Sequence, residues 1–493
     1  MKKDFELNKR LFFKINIIFF LVINFVIIDG FSLSYCTDIT EEDKLLFQDD
    51  SSTKPKEETK QEESEPASIG FTSPKQYING SIEGKFFYQF QTVKQEKSHF
   101  LNDYTAKLNI DHAFFDIVLF RVRPVFGISN RFFYGEVFNF LGETSYKRPY
   151  IDFNEFYAKV KYSYFDLSIG KKIYNWGVAN GYNPTDNITP YDMLDFLDNE
   201  KLGIFSISSG FYYDILSVEA VFIPFFTPHR VSLAGSRWYG DLADHEDDEE
   251  EEDTNNRYHD RAMPDRTLEN SEYAGRIKAS ISGWDVSLCY FRGFDNQPVA
   301  ETIRIDDVDH VTPVFNRISE YGGTISTLFG KLDLHGEISF RDVDNGNDEN
   351  YWAYIGGGSY YFDFYLDFLK NIMIFLEYAG EDITKFKTNN KRSSTYITRP
   401  FKNSIVGRLE VKFTDDVMIN WSGSYSFDFD RNGDDVVDDM RNYYYQVLLT
   451  WKLNDSYTIK TGTDSMWGHK DSFWGRFRNN DRFFVKLIYY FAP

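Results

Sequence analysis

Only two cysteines occur in the 493 residues, Cys36 and Cys289, so no disulfide framework holds this chain together. Long apolar runs are missing too. After residue 28 no stretch reaches the 18 or more apolar residues that a membrane-crossing helix needs. A nucleophile elbow, a phosphate-binding glycine loop and a Cys/His metal cluster are also absent, which removes the commonest enzyme signatures. His335, between Asp333 and Glu337 on one strand face, reads as lining rather than as a catalytic base. No enzymatic activity and no required cofactor are expected. Acids outnumber bases, 76 Asp and Glu to 54 Lys and Arg, for a net charge of −22, and no nucleic-acid partner is expected.

Aromatics are abundant instead. Phe (49) and Tyr (34) lift the aromatic share to 18%, yet 26% of residues are charged and the mean hydropathy is −0.45. A barrel wall in a membrane combines aromatic girdles with a polar lumen and gives this mixture.

The N-terminus is read as a signal peptide over residues 1–36. Lys2, Lys3, Lys9, Arg10 and Lys14 precede an apolar run at 15–28, and Ser32 and Ser34 offer a small-residue cleavage site. Tyr35 is too bulky to precede a lipidated Cys36. Residues 1–36 carry five basic and three acidic groups, so the mature chain would be −24. Residues 37–75 are polar and acidic, with almost nothing to bury, and read as a disordered periplasmic tail.

From residue 76 to 493 the dominant signal is period-two alternation in runs of about nine to thirteen residues. In the clearest run Val417, Ile419, Trp421, Gly423, Tyr425 and Phe427 fall on one face, with Met418, Asn420, Ser422, Ser424 and Ser426 on the other. The fold class expected is all-β, a transmembrane antiparallel β-barrel of about 18 strands, with 16 as the alternative because 127–149 is hard to divide. Only closed barrels and helices satisfy every backbone group in lipid, and helices are excluded. Tight turns alternate with long polar loops, and an even strand count puts both termini on the turn side and the long loops outside.

A cation facing the bilayer midplane costs about 2–4 kcal/mol in a barrel, so the charged faces belong in the lumen. The expected pore-lining residues are Arg121, Arg123, Arg276, Lys278, Glu337, Arg408, Glu410, Lys412 and Lys486. The last strand puts Phe483, Val485, Leu487, Tyr489 and Phe491 on one face. It looks like the C-terminal strand signal that the bacterial barrel-assembly machinery reads, although Ala492 and Pro493 follow where the usual pattern ends on Phe.

The segment 170–202 runs from a strand end through Trp176-Gly177 and Asn183-Pro184-Thr185-Asp186 to Pro190 and Asp192. It resembles a motif of porin-like outer-membrane barrels, the alginate-export-like proteins and related barrels. The resemblance implies a channel and names no substrate. Trp176, Asn183, Asp186 and Asp192 are candidate constriction residues, in a loop that either enters the lumen or caps the wall. Asp428, Asp430, Asn432, Asp434 and Asp439 stand at calcium-loop spacing around Gly433, on the side of the long loops. Position 12 is Asp rather than the longer Glu, and an acidic loop without an ion fits the same residues. The acidic run 244–253 reads as a solvated tip, with concentration of cations at the pore mouth or bridging by divalent ions as the alternatives.

The function expected is passive diffusion of small hydrophilic solutes across an outer membrane, with membrane lipid as the surrounding partner. An export conduit or scaffold, surface recognition through the loops, and oligomer formation stay open.

Overall fold

The computed structural model describes residues 75–93, 96–114, 117–131, 133–139, 146–232, 236–239, 256–366, 368–427 and 441–492. The signal peptide, nearly all of the acidic tail, the whole acidic run and the calcium-like loop expected from sequence lie outside them.

Eighteen antiparallel strands close into one barrel. They are β1 (Lys75–Gln89), β2 (Phe100–Phe114), β3 (Val118–Ser129), β4 (Arg148–Tyr162), β5 (Phe165–Lys172) and β6 (Ile204–Tyr213). β7 (Leu216–Ile223), β8 (Glu272–Ile281), β9 (Trp284–Phe294), β10 (Arg317–Phe329), β11 (Leu332–Val343) and β12 (Asn350–Leu366) follow. β13 (Leu369–Lys385), β14 (Asn403–Lys412), β15 (Val417–Ser426), β16 (Asn442–Lys452), β17 (Tyr457–Gly468) and β18 (Arg482–Phe491) complete the wall. Each strand pairs with its sequence neighbour, and β18 returns to β1 with Lys486 opposite Lys85, so no edge is left open. The count is the larger of the two expected from sequence.

One end of the barrel carries the tight turns. Ser163, Asp214, Ser282 and Gly330 begin two-residue connections with φ of 50°, 50°, 50° and 61°. Positive φ at that position gives the primed turns whose twist matches the flanking strands. Every long connection emerges at the other end. Two elements there go beyond the sequence expectation. Tyr134–Phe138 runs parallel to the start of β4, and a hairpin of Val299–Ile305 with Val308–Val314 stands in the β9–β10 connection.

Burial is inverted relative to a water-soluble protein. Leu288 (70% exposed), Leu376 (56%) and Leu487 (46%) point outward, whereas Lys85, Arg121, Glu337 and Glu377 are buried inside. Outward aromatics gather in two rings. Tyr164 meets Tyr213, Trp284 meets Phe329 and Tyr457 meets Tyr489 near the turns. Tyr88 meets Phe100, Tyr290 meets Tyr321 and Tyr443 meets Trp467 toward the loops. From Tyr457 to Trp467 is roughly 33 Å along a strand. With a tilt of about 40° that becomes about 25 Å of height, the thickness of a barrel's apolar band.

Candidate functional site: a segment folded into the lumen

Residues 173–203, which join β5 to β6, turn inward and cross the lumen. The segment is rooted by apolar contact. Tyr174, Trp176 and Ile188 pack against Ile204, Val221, Ile223, Phe291 and Ile318, inward-facing residues of β6, β7, β9 and β10. Polar bonds fix the two rings in place: the Tyr174 hydroxyl lies 2.9 Å from Ser206 Oγ, and Trp176 Nε1 donates to Glu219 at 2.9 Å. Arg276 reaches the same Glu219 at 3.2 Å and covers the Trp176 ring at 5.2 Å.

The middle of the segment is held by two carboxylates of the wall. Glu337 on β11 accepts the backbone N–H groups of Val178, Ala179 (2.7 Å) and Thr185 (3.3 Å), and the Thr185 hydroxyl at 2.8 Å. Glu377 on β13 accepts the N–H groups of Asn180 and Gly181, both at 2.8 Å, and His335 Nε2 at 2.6 Å. Loop N–H groups away from water must find acceptors, and charged acceptors are the strongest available. Gly181 allows the approach: a Cβ there would lie 2.7 Å from Glu377 Oε2 and 2.8 Å from Val406.

The far half carries acids to a basic arc of the wall. Asp192 pairs with Arg148 of β4 (2.8 Å) and with Arg230 (2.6 Å) from the β7–β8 connection. Asp195 takes Arg131 (2.8 Å) and Arg482 (2.6 Å), Asp198 takes Lys85 (2.6 Å) and Lys486 (2.7 Å), and Glu200 takes Lys107. Burial would raise these acids, but the paired cations outweigh it and hold Asp192, Asp195, Asp198 and Glu200 below the usual carboxylate range. The segment therefore reaches from the acidic wall at β11 and β13 to the basic wall at β18, β1 and β2.

Of the four candidate constriction residues, three are fixed by wall or neighbour contacts. Trp176 bonds Glu219, Asp186 pairs with Lys201, and Asp192 is clamped by two arginines. Asn183 packs on Gly177, where a Cβ would lie 2.2 Å from its Oδ1. Beside the segment a cleft is lined by Lys85, Lys107, Arg148, Asp152, Glu200 and Lys201, so both charge signs face it.

The nine expected lining residues all point inward, at different depths of cover. Arg121 is buried on Asp111 at 2.9 Å, and Glu337 lies under the inserted segment. Arg123 pairs with Glu155 (3.0 Å), Arg276 with Glu219, Lys278 with Asp285 (3.5 Å) and Lys486 with Asp198. Toward the turns the lining is less covered: Arg408 is exposed, its guanidinium 5.9 Å from the Phe375 ring, and Glu410 and Lys412 are half-buried. Lys412 meets Asp415 of the following turn at 3.1 Å. Lys85, Lys107, Arg148, Arg230, Asp195, Asp198 and Glu200 were not singled out in the sequence. Lys85 and Lys107 had a readable alternation parity, whereas Arg230, Asp195, Asp198 and Glu200 lie in connections, and the partners of all of them are distant in sequence.

No family model matches the chain, and no curated protein matches its sequence. Solved structures do. OccK11 (OpdR) of Pseudomonas aeruginosa aligns at 10% identity over 84% of this chain and 96% of its own, with a TM-score of 0.45. A loop-deletion mutant of OmpT, an outer membrane protein of Vibrio cholerae, aligns at 10% identity over 85% and 100%, TM-score 0.40. A mutant of the Rh. blastica porin aligns at 13% over 85% and 100%, TM-score 0.38. At these scores the likenesses carry no inference about this chain.

Proposed function

We propose that this protein is an integral outer-membrane channel through which small hydrophilic solutes diffuse passively. The observation that carries the reading is the inserted segment. It narrows a polar lumen from within and leaves a charged cleft beside it, while the outside of the same wall is apolar between two aromatic rings. A structural scaffold needs no such lumen, whereas a selective pore needs a fixed constriction of defined chemistry. Lipid is the outer partner, and β18 is the segment offered to the barrel-assembly machinery. Residues 1–36 direct export, and residues 37–75 then remain on the turn side, in the periplasm. Calcium binding by Asp428, Asp430, Asn432, Asp434 and Asp439 is proposed for the opposite face.

An export conduit is the second reading, favoured by one observation. The residues that carry the resemblance to alginate-export-like barrels, Trp176, Asn183, Asp186 and Asp192, are the ones that build the lumen segment. Swelling of protein-loaded liposomes in sugars of graded size tests the diffusion reading. Uptake that falls with solute size supports it, and no uptake of the smallest sugars counts against it.

A further inference from the structure

Four arginines buried toward the loop end come with acids. Arg131 has Asp195 at 2.8 Å, Arg237 has Glu96 at 3.2 Å, Arg399 has Glu381 at 2.9 Å and Arg482 has Asp464 at 2.7 Å. Arg476 differs. It lies in the short 3-10 turn Gly475–Phe477 of the β17–β18 connection and is 7% exposed. Its guanidinium carbon stands 4.9 Å from the Phe473 ring centroid and 4.6 Å from that of Phe477. Nε is buried without a hydrogen-bond partner, and Arg476 makes no ion pair with the described residues. Burial alone acts on the group, pushing its pKa down to about 10, so it stays charged at neutral pH. Nη1 and Nη2, unlike Nε, are not fully covered.

A buried charge is normally paired, since desolvation without a counter-charge is costly. We propose that Arg476 is an oxyanion-binding site at the loop end of the barrel, taking a carboxylate or phosphoryl group on its Nη edge. The planar fork matches two oxygens of such a group, and the Phe473 and Phe477 faces keep water from its flanks. Phe196 of the lumen segment and Trp238 of the β7–β8 connection pack on the same Phe477 ring, at 5.8 and 5.5 Å, so the site adjoins the upper lumen. It stands independently of whether the lumen conducts.

The test is the unfolding midpoint of the full-length folded protein in chloride, with inorganic phosphate or acetate added at constant ionic strength. The wild-type midpoint should rise saturably with at least one of them, and the rise should vanish in both Arg476→Gln and Arg476→Met. Neither variant removes an ion-pair or hydrogen-bond partner from another side chain, and both keep a chain that can lie against the Phe473 and Phe477 rings, so both should keep the folded mobility on gels. A response to phosphate alone assigns a phosphoryl ligand, and a response to acetate a carboxylate. A wild type without a saturable response to either, or a response that survives in Arg476→Gln, overturns the proposal.

Discussion

The Thr185 hydroxyl donates to Glu337 Oε2 at 2.8 Å, and this bond ties a loop residue to a wall strand 152 residues further along the chain. The same carboxylate also takes three backbone N–H groups, so one wall side chain fixes the path of the segment across the lumen.

Removing that anchor should free the segment without opening the barrel. Glu337→Ala with Glu377→Ala orphans the N–H groups of Val178, Ala179, Asn180, Gly181 and Thr185. Each unsatisfied buried donor costs about 1–3 kcal/mol. Hydrogen exchange should accelerate at residues 178–185 in the double variant and stay unchanged in β1 and β18, as read by mass spectrometry.

Asp192 gives a signed pH dependence. Its pKa is lowered in the folded chain: Arg148 and Arg230 outweigh the opposing effect of burial. Its contribution is therefore complete above the unfolded carboxylate value of about 3.9 and is lost progressively as pH falls from there through the much lower folded value. Asp192→Asn leaves two arginines short of a charge and should cost about 3–5 kcal/mol at neutral pH. The gap in denaturant midpoint between wild type and variant should be constant from pH 7 to about pH 5 and begin to narrow by pH 3 without closing, because the folded carboxyl titrates well below that.

The orientation of the wall is testable by a matched pair. Leu376→Arg places a cation on the outward face of β13 and should cost about 2–4 kcal/mol of folding into lipid vesicles. Asn420→Arg places the same cation inside, opposite Glu410 on β14, and should be near neutral. Equal costs in urea-titrated refolding would contradict the assigned faces.

For the calcium loop, wild type should gain thermal stability on addition of calcium. Asp428→Ala with Asp430→Ala should abolish the gain, as measured by the unfolding midpoint with and without chelator. No gain in wild type removes the site.

The barrel itself was legible because its signal is local. Trp421, Tyr425, Ser424 and Ser426 take opposite faces by parity alone, and their exposure follows that parity. The two-residue turns at Asp214 and Ser282 were likewise visible as breaks between alternating runs. The lumen segment was only half legible. Asn183-Pro184 and Thr189-Pro190 marked a loop, but whether it entered or capped the barrel depended on Glu337, Glu377, Lys85 and Arg148, which no spacing rule connects to it. The apolar patch of Ile204, Val221, Phe291 and Ile318 inside a polar lumen also escaped the alternation, because it answers to Tyr174 and Trp176 and not to lipid. The hairpin Val299–Ile305 with Val308–Val314 turns on Asp306 and Asp307, at φ of 49° and 63°, an acidic pair that sequence reasoning passed over as loop.

The most direct measurement is single-channel conductance in a planar bilayer, comparing wild type with the Glu337→Ala, Glu377→Ala double variant. A lumen narrowed by a pinned segment predicts stable, ohmic steps for wild type and larger, noisier steps once the anchors are gone. A wild type that inserts folded and passes no ions, with a double variant equally silent, would contradict it.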